Sequence, residues 1–418
     1  MSKHTQDEIA TSTTLSTGLV EEKVGYKQTK LGWIPEDWSI KSLNEIGEFS
    51  KGKGVAKKDI LEDEIEGLSC VRYAEIYTIY HYNATSLKSK INQESADNSN
   101  PINYGDILFA GSGETLEDIG KSIAYLGNQT AYAGGDIIIL KQHHQDARYL
   151  GYLFNNDVVR SQLFKIGQGH SVVHIYASGL KKVFVPLPSL PEQQKIASIL
   201  NTWDKAITAQ EKLIAQKQAL KKGLMQQLLT GKKRFPGFEE EWEEVLVGEI
   251  ASIKTGNSDT QDKIENGKYP FFVRSNTIER INTHSFDGEA VLTSGDGVGV
   301  GKIYHYLNEK FDYHQRVYNI HSFKSNVNGK FFFYFFSQNF YRRVVAMSAK
   351  NSVDSVRMDM ISKMPFSLPS IKEQEKIALM LSFLDNEINK MKLTEIILRT
   401  QKQGLMQQLL TGEKRVEI

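Results

Sequence analysis

The sequence predicts an α+β protein with an internal repeat, in which two similar globular units are separated by two long, antiparallel coiled-coil helices related by a pseudo-two-fold axis. Three observations predict this fold. The nine-residue string Gly-Leu-Met-Gln-Gln-Leu-Leu-Thr-Gly occurs at Gly223–Gly231 and again at Gly404–Gly412, which indicates a duplication. Apolar residues at heptad spacing precede each copy. Elsewhere, short β-branched and aromatic runs alternate with turn glycines.

The repeat predicts the order of segments along the chain. From Leu187 to Arg234, 23 of 48 positions are identical to the residue 181 positions later, and weaker matches continue upstream. The segments expected are a disordered tail at 1–25, a first globular domain at 26–188, a first long helix at 189–233, a second globular domain at 234–369, a second long helix at 370–412 and a short tail at 413–418.

Each long helix is predicted from a capping signal, a heptad and a terminal glycine. Ser189 and Ser370 are candidate N-caps, and the glutamate three residues later completes a capping box. Gly231 and Gly412 suit the left-handed position that ends a helix. About 40 residues at 1.5 Å each make a rod of roughly 60 Å. Because a lone rod exposes its apolar seam, we expect the two rods to pair; a plain structural stalk is the alternative.

The bulk composition is that of a soluble globular protein, with 418 residues, 40% of them hydrophobic and 24% charged. This length suffices for two or three domains. The single Cys70 excludes an internal disulfide and a Cys-rich zinc site, so we expect a cytoplasmic protein. The N-terminal segment lacks the apolar region of a signal peptide, and no apolar run is long enough to span a bilayer.

The glycine clusters do not match a nucleotide-binding motif. Asp296 stands where a P-loop ending at Gly301-Lys302 needs its first glycine, and Ile303 replaces the Ser or Thr. Thr115 occupies the glycine position ahead of Gly120-Lys121-Ser122. Neither a His-Glu-x-x-His motif nor a Ser/His/Asp arrangement occurs. The residues therefore predict a binding protein without catalytic residues, metal ligands or a bound cofactor.

Several repeated strings together resemble the specificity (S) subunit of type I restriction–modification enzymes, over nearly the whole chain from Gly32 to Arg415. Leu-Pro-Ser-Leu-Pro-Glu-Gln-Gln-Lys-Ile-Ala at 187–197 recurs as Leu-Pro-Ser-Ile-Lys-Glu-Gln-Glu-Lys-Ile-Ala at 368–378. Each repeated nonapeptide precedes a Lys-Arg pair, and Arg234-Phe235-Pro236-Gly237-Phe238 precedes Trp242. The last string is similar to the entry into a target recognition domain of that family.

The resemblance implies a non-catalytic DNA-binding subunit. Each globular domain would be a target recognition domain that reads one half of a bipartite, asymmetric sequence in double-stranded DNA. The helices would set the distance between half-sites and dock two methyltransferase (M) subunits, which restriction (R) subunits join. S-adenosylmethionine, ATP and Mg would belong to those partners. A duplicated scaffold or adaptor that does not bind DNA is the alternative, and a fused methyltransferase would need a Pro-Pro-Tyr/Phe loop that the chain lacks.

The distribution of charge constrains the DNA-binding face. Residues 26–190 carry 17 Lys/Arg against 19 Asp/Glu, and residues 235–369 carry 15 against 17. Duplex binding depends on phosphate neutralisation, so basic and amide residues in matching loops should face DNA, and the acidic runs 59–66 and 239–244 should face away.

The candidate DNA-contacting residues share a place in polar or Gly-rich loops that match between the halves. They are Lys51, Lys53, Arg72, Lys121, His170 and Ser171 in the first domain, and Lys254, Asn257, Arg274, Ser275, Asn276, Lys302, Gln315, Arg316, Asn351 and Ser352 in the second. The candidate partner-docking residues are the apolar members of the two nonapeptides: Leu224, Met225, Leu228, Leu405, Met406 and Leu409.

Overall fold

The computed structural model describes residues 23–62, 66–115, 117–167, 173–297, 299–347 and 355–418. The tail expected at 1–25 lies outside these residues as far as residue 22. The chain divides into two compact units. The first unit is Met1–Ile207 together with Ile397–Ile418, and the second unit is Thr208–Ile396. Each unit therefore contains one globular domain, the beginning of one long helix and the end of the other.

The described part of the first globular domain is mixed α and β. Its strands are β1 (Tyr26–Thr29), β2 (Gly32–Pro35), β3 (Ser39–Ser42), β4 (Gly47–Lys51), β5 (Leu68–Val71), β6 (Asn83–Ala84), β7 (Ser89–Ile91), β8 (Asn100–Ile102), β9 (Ile107–Ala110), β10 (Ser112–Gly113), β11 (Ser122–Tyr125), β12 (Ala131–Ala133), β13 (Ile137–Gln142), β14 (Val173–His174) and β15 (Phe184–Leu187). Its helices are α1 (Leu43–Ile46), α2 (Tyr73–Thr78), α3 (Gln93–Asp97), α4 (Ala147–Leu153), α5 (Asp157–Ile166) and α6 (Ala177–Leu180), with a 3-10 turn at Lys57–Asp59.

The second globular domain is built from fewer and longer strands. They are β16 (Glu243–Leu246), β17 (Ser252–Thr255), β18 (Tyr269–Phe272), β19 (Ile278–Ile281), β20 (Phe286–Ser294), β21 (Tyr304–Tyr313), β22 (Val317–His321) and β23 (Pro365–Leu368). The helices are α8 (Val247–Ile250), α9 (Gly329–Met347) and α10 (Met358–Ser362), with a 3-10 turn at Thr260–Asp262. The two long helices of the chain are α7 (Leu190–Leu228) and α11 (Ile371–Thr411).

The two domains share one strand order. In the first, the sheets run β4-β13-β9-β11-β6 and β7-β5-β12-β8; in the second, a single sheet runs β17-β22-β20-β21-β18-β19. Strand β21 is long enough to pair with β20 along most of its length and with β18 at its end. The first domain divides that role between β11, which pairs with β9, and β12, which pairs with β5. The duplication predicted from the sequence thus extends to sheet topology.

The helical pattern of Tyr149–Phe164 predicts one continuous helix, but the structure divides this segment into α4 and α5. The cause lies in two adjacent asparagines. The Asn155 side chain donates to the main-chain oxygen of Ser122 (2.7 Å), and the Asn156 side chain accepts from the Val158 amide (3.1 Å) and begins a new helix. The corresponding α9 has no such interruption, and its phenylalanines at helical spacing, from Phe331 to Phe340, are buried in the core.

The long helices pair antiparallel inside each unit. In the second unit, Lys221 Nζ lies 2.5 Å from an Asp385 oxygen, and Gln210 donates to the Met391 carbonyl (2.8 Å). In the first unit, the equivalent Lys402 lies 2.5 Å from an Asp204 oxygen. Each aspartate also accepts from a tyrosine hydroxyl of its globular domain at 2.6 Å, Tyr152 in the first unit and Tyr334 in the second. The same polar cluster thus fixes helix register in both units.

Ser189 accepts from the Glu192 amide at 3.4 Å, as predicted for an N-cap, but the glutamate side chains of the repeated Pro-Ser-x-x-Glu-Gln string bind elsewhere, which corrects the predicted capping boxes. Glu373 is fully buried and accepts two hydrogen bonds from Arg234 (2.9 and 2.7 Å) and one from the Trp242 indole (3.0 Å). Glu192 binds Arg415 and Trp38 in the same way. A bidentate guanidinium outcompetes an exposed helix-end amide because it is a charge-assisted pair.

The nonapeptides end inside the cores of the globular domains. Met406 and Leu409 belong to the first unit's core together with Trp38, and Leu228 belongs to the second unit's core. Their exposures are 6%, 2% and 3%, so these three side chains are enclosed within the chain and present no docking surface. The partly buried members pack against the same cores: Leu224, Met225 and Leu405. As predicted, Gly231 and Gly412 adopt positive φ (67° and 74°).

Candidate nucleic-acid interface

Loops that follow four strands of the second unit meet in one polar cluster. Asn257 follows β17, Arg274 follows β18, Asp296 follows β20, and Gln315 and Arg316 join β21 to β22. The loops come together because β22 pairs with both β17 and β20, and because the end of β21 pairs in parallel with the end of β18. The Gln315 amide then donates to the Ser258 carbonyl (2.9 Å), which connects two of the loops directly.

A carboxylate holds the two arginines of this cluster. Arg274 Nη1 donates to Asp296 Oδ1 at 3.2 Å, and Arg316 Nε lies 3.8 Å from Asp296 Oδ2. The arginine side chains are 46% and 65% exposed, whereas that of Asp296 is 24% exposed. Because the pairs are solvent-exposed, their contribution to stability is small. The cluster nevertheless presents two guanidinium groups to solvent from a fixed anchor.

A second carboxylate, Asp259, holds the neighbouring Gln315. The Gln315 side-chain amide donates to Asp259 Oδ2 at 2.9 Å, and His314 Nε2 lies 3.9 Å from the same oxygen. His314 is 3% exposed, and its Nδ1 accepts from the Arg316 amide (2.9 Å). Burial and the nearby Arg274 lower the pKa of His314. An unprotonated imidazole fits this geometry, since Nδ1 must accept a hydrogen bond.

The buried Asp312 supports these loops from beneath. It is 3% exposed. Its carboxylate accepts from the hydroxyls of Thr283 (2.7 Å), Ser285 (2.8 Å) and Ser258 (3.3 Å). Satisfied buried networks of this kind make a loop rigid, which a base-reading surface requires.

The corresponding loops of the first unit carry different polar groups. Lys51, at the end of β4, lies 3.7 Å from an Asp136 oxygen in an exposed pair. Ser112 Oγ and His174 Nδ1 share a hydrogen bond of 2.9 Å. Gly52 allows the close approach of the loop that follows β12, because a Cβ atom there would collide with the Gly134 carbonyl oxygen. Gly256 meets the Tyr313 carbonyl oxygen in the same way in the second unit.

A cavity of about 270 Å³ adjoins the first unit's loops. Its walls are Phe49, Ile138 and Ile175, and its polar members include Lys51 and His174. This cavity gives the first unit a recess in the same surface that carries the Lys51–Asp136 pair.

The structure does not bring all of the predicted contact residues together. Those brought together in the second unit's cluster, or exposed beside it, are Asn257, Arg274, Ser275, Asn276, Gln315 and Arg316. Those in the loops or strands around the two clusters are Lys51, Lys53, Lys254 and Lys302, whereas Lys121 lines a separate cavity with Tyr82 and Arg160. His170, Ser171, Asn351 and Ser352 lie outside the described residues.

Arg72 differs from the other candidates because the carboxylate that it binds is buried. It occupies the N-cap position of α2, and its guanidinium binds the buried Glu75 at 2.9 Å. Its guanidinium therefore has less freedom to reach DNA than that of Arg274, although its side chain remains 31% exposed.

Sequence reasoning missed the acidic residues beside the candidate contact residues. Asp136, Asp259 and Asp296 contact Lys51, Gln315 and the two arginines, whereas the loop pattern predicts mainly basic and amide residues. One signal was present in the sequence: the matched triplets Gly111-Ser112-Gly113 and Gly295-Asp296-Gly297 differ only at the central residue. The chemistry of Asp296 became visible only when the fold placed Arg274 and Arg316 beside it.

The described ranges contain neither a metal-binding cluster nor a membrane-spanning helix. No group of three or more His, Cys, Asp or Glu side chains in them could hold a metal ion. Among the helices that the structure describes, none has the length and apolar character needed to cross a membrane.

Known proteins with similar sequences are S subunits. The putative type I restriction enzyme MjaX specificity subunit of Methanocaldococcus jannaschii is 25% identical over 427 residues, covering 94% of this chain and 97% of the relative. The MjaIX specificity subunit of the same organism is 26% identical over 282 residues, and this match spans 63% of its length. The EcoDI specificity subunit of Escherichia coli is 29% identical over 177 residues, or 38% of its length.

Solved structures share the fold. The type I restriction–modification S subunit from M. genitalium superposes with a TM-score of 0.60 at 15% identity, covering 89% of this chain and 96% of that chain. A chain from work on complex assembly and conformational transition of the type I R-M system has a TM-score of 0.57 at 18% identity, covering 91% and 99%.

A family model covers most of the chain. The type I restriction modification DNA specificity domain matches twice, at residues 35–217 and 239–398. Each match contains one globular domain and most of the long helix that follows it. With its duplicated domains, paired helices and polar loop clusters, the chain belongs to the family of type I restriction–modification specificity subunits.

Proposed function

We propose that the chain reads a bipartite, asymmetric DNA sequence, with one half-site for each globular domain, as the specificity subunit of a type I complex. One observation carries the proposal: the two domains share a strand order but carry different polar groups in equivalent loops. Two domains with the same fold and different polar side chains can recognise different DNA sequences, because bases are distinguished by side-chain hydrogen-bond donors and acceptors.

Phosphate binding does not require a basic chain. The net charge is +1, but Lys254, Lys302 and Lys53 are exposed around the two clusters. Cations in such loops neutralise phosphates locally and position the side chains that read bases.

We further propose that two methyltransferase subunits dock on the long helices through exposed parts of the nonapeptides. The identical members at the surface are the half-buried Gly223 with the exposed Gln226-Gln227, and the exposed Gly404 with Gln407-Gln408. A Cβ atom on either glycine would meet nothing within 4 Å, so the fold does not require glycine there. Glycine inside a helix costs about 0.5–1 kcal/mol relative to alanine, and close approach of a partner backbone accounts for its presence in both copies.

The partners would supply the chemistry. On this proposal, the methyltransferase subunits bind S-adenosylmethionine and methylate adenine, and restriction subunits that use ATP and Mg join the assembly in the cytoplasm. The chain contributes sequence recognition and no catalytic group.

Co-expression with the methyltransferase subunit of the same host tests the proposal. We expect a stable complex and a methylated motif in the host genome that consists of two different half-sites separated by unspecified bases. Purified complex should shift duplex DNA, less strongly at higher salt. A palindromic motif, or a complex without DNA binding or methylation, would contradict the proposal and favour a scaffold.

A further inference from the structure

We propose that two equivalent loop positions decide which bases each domain reads: Ser112 and Asp136 in the first unit, and Asp296 and Arg316 in the second. This inference rests on the proposed DNA-reading function and assigns it to particular side chains. We therefore expect one half-site to present hydrogen-bond acceptors, and the other to present a hydrogen-bond donor, at the bases that these residues contact.

The positions are equivalent because the same backbone contacts hold them. The Gly111 amide donates to the Asp136 carbonyl at 2.7 Å, and the Gly295 amide donates to the Arg316 carbonyl at 2.7 Å. One residue earlier, the Gly135 and Gln315 amides donate to the loop after the first strand of each sheet, at 3.0 and 2.9 Å.

Ser112 and Asp296 are also equivalent, because each takes part in a short antiparallel pairing. Ser112 pairs with His174 in the first unit, and Asp296 pairs with Ser355 in the second. The backbone arrangement is therefore the same in both units, whereas the side chains at these positions differ in charge.

The second unit presents donors from this scaffold. Asp296 occupies Nη1 of Arg274 and lies beside Nε of Arg316, so each guanidinium keeps further N–H groups for DNA. Arginine pairs bidentately with the O6 and N7 acceptors of guanine. A carboxylate that fixes a guanidinium before binding reduces the conformational entropy lost on contact. Asp296 is thus a positioning residue, and Arg316 and Arg274 are the guanine-reading residues.

The first unit presents an acceptor from the same place. Asp136 stands where the second unit has Arg316, and its carboxylate is half exposed beside Lys51. A carboxylate accepts from the N4 amino group of cytosine, which guanine and thymine do not offer in the major groove. The neutral Ser112–His174 pair replaces the charged Asp296. The first half-site should therefore contain a base with an amino donor, cytosine or adenine, where Asp136 reads, and the second should contain guanine where its arginines read.

The surface beside the scaffold also differs in shape. In the second unit, the Tyr318 ring lies against Gly295, and its hydroxyl donates to the Val356 carbonyl at 3.1 Å. In the first unit, Ile138 lies against Gly111 and lines the 270 Å³ cavity. Ile138 is smaller than Tyr318 and leaves a recess at the position that the tyrosine ring fills in the second unit. The two candidate DNA-reading surfaces therefore differ in both charge and shape.

The methylated motif of the co-expressed complex tests these assignments. Asp296→Asn and Arg316→Gln should each lower the preference for guanine at one position of one half-site by about tenfold or more, the discrimination expected of a bidentate pair. The other half-site should stay unchanged. Asp296→Glu, which restores the carboxylate, should recover part of the preference, as a positioning role requires.

Asp136→Asn should alter the other half-site only. Asp136 has a φ of 61°, a conformation that asparagine tolerates well, so the change removes charge without straining the loop. Asp287→Asn is the charge-matched control, because its carboxylate pairs with Lys310 at 3.8 Å in an exposed contact of the second unit's sheet, away from the loop cluster. It should leave both half-sites unchanged.

The outcomes separate this inference from the function on which it rests. An unchanged motif in Arg316→Gln, whose side chain is 65% exposed and therefore dispensable for folding, would overturn the assignment. A single variant that changes both half-sites would overturn it too. If the unaltered complex methylates no bipartite motif, the proposed function itself fails. Thermal unfolding and co-purification of each variant identify any loss of folding or assembly.

Discussion

Glu192 and Glu373 illustrate how a repeated residue serves the fold. From sequence alone, each is the third helical residue after a serine and predicts a capping box. In the structure, each carboxylate is buried and binds an arginine that follows a nonapeptide and a tryptophan that begins a globular domain. The pairing joins the start of one long helix to the end of the other within a unit, and no local pattern contains that information.

Carboxylates also have a role inside the candidate interface. The orientation of the two acidic runs, 59–66 and 239–244, away from DNA remains a prediction. The structure adds that Asp136 and Asp296 lie among the candidate reading residues. A nearly neutral domain is therefore compatible with a DNA-reading surface, because its acids orient its cations.

Buried histidines should make the second unit sensitive to acid. His305 Nε2 and His321 Nε2 have no hydrogen-bond partner within the described part of the chain. Burial lowers the pKa of both imidazoles below the ordinary 6.5. The folded state therefore binds fewer protons than the unfolded state, so this contribution to stability is complete above about pH 6.5 and is lost as pH falls through the lowered pKa values.

His305→Phe tests that prediction. The ring packs 4.9 Å from Phe272, so phenylalanine suits the site. Urea unfolding between pH 5 and 7.5 should show a shallower loss of unfolding free energy in the variant, by up to about 1.4 kcal/mol per pH unit for one proton. His143→Phe, in a loop, is the control and should keep the original slope. An identical pH slope in His305→Phe and the unaltered chain would contradict the prediction.

Among the elements, the ends of the two long helices show most clearly why residues are repeated in this chain. Its identity in both copies predicts that the nonapeptide is a docking site. Its buried side chains instead anchor each helix end in a globular core, which by itself explains their identity. The two glycines are the part that contacts within the chain do not explain, whereas the Gln407 side chain accepts a hydrogen bond from Asn156 at 2.8 Å.

Gly223→Ala and Gly404→Ala separate these two reasons. Each change should raise the free energy of unfolding by about 0.5–1 kcal/mol, because alanine is the better helix former and a Cβ meets no atom within 4 Å. The same variants should weaken co-purification with the methyltransferase subunit. Ala219→Gly, one helical turn before Gly223, is the opposite control and should only lower stability. Stabilised variants that retain full partner binding would remove the glycines from the docking face.

At the scale of the whole molecule, the two compact units do not correspond to the two halves of the sequence. The second unit is one continuous segment, Thr208–Ile396, whereas the first needs Ile397–Ile418 to complete it. Met406, Leu409 and Leu410 belong to the first unit's core and are at most 6% exposed. The last residues of the chain thus complete the first domain.

Fragments test this unequal arrangement. Residues 208–396 should fold cooperatively by themselves, since their core is internal. Residues 1–207 should be unstable alone, because the loss of one buried leucine or methionine side chain costs about 2–5 kcal/mol and three are missing. Circular dichroism during heating measures both. Supplying residues 397–418 through a flexible linker should restore the first fragment, and cooperative unfolding of residues 1–207 without that segment would refute the prediction.

The sequence by itself determined the duplication, the α+β class, the paired helices and their terminal glycines, because identity at a fixed offset, apolar periodicity and glycine conformation are local properties. It also identified the loops that contain Arg274, Gln315 and Arg316, since these match between the halves.

Only the tertiary structure decided which residues of those loops act together and which repeated residues serve the core. Asp296 meets its arginines through strand pairing, Glu373 meets Arg234 across 139 positions, and the end of the chain meets Trp38 within the first core. Such contacts join residues far apart in sequence, so their chemistry depends on topology and side-chain packing, which no pattern of neighbouring residues specifies.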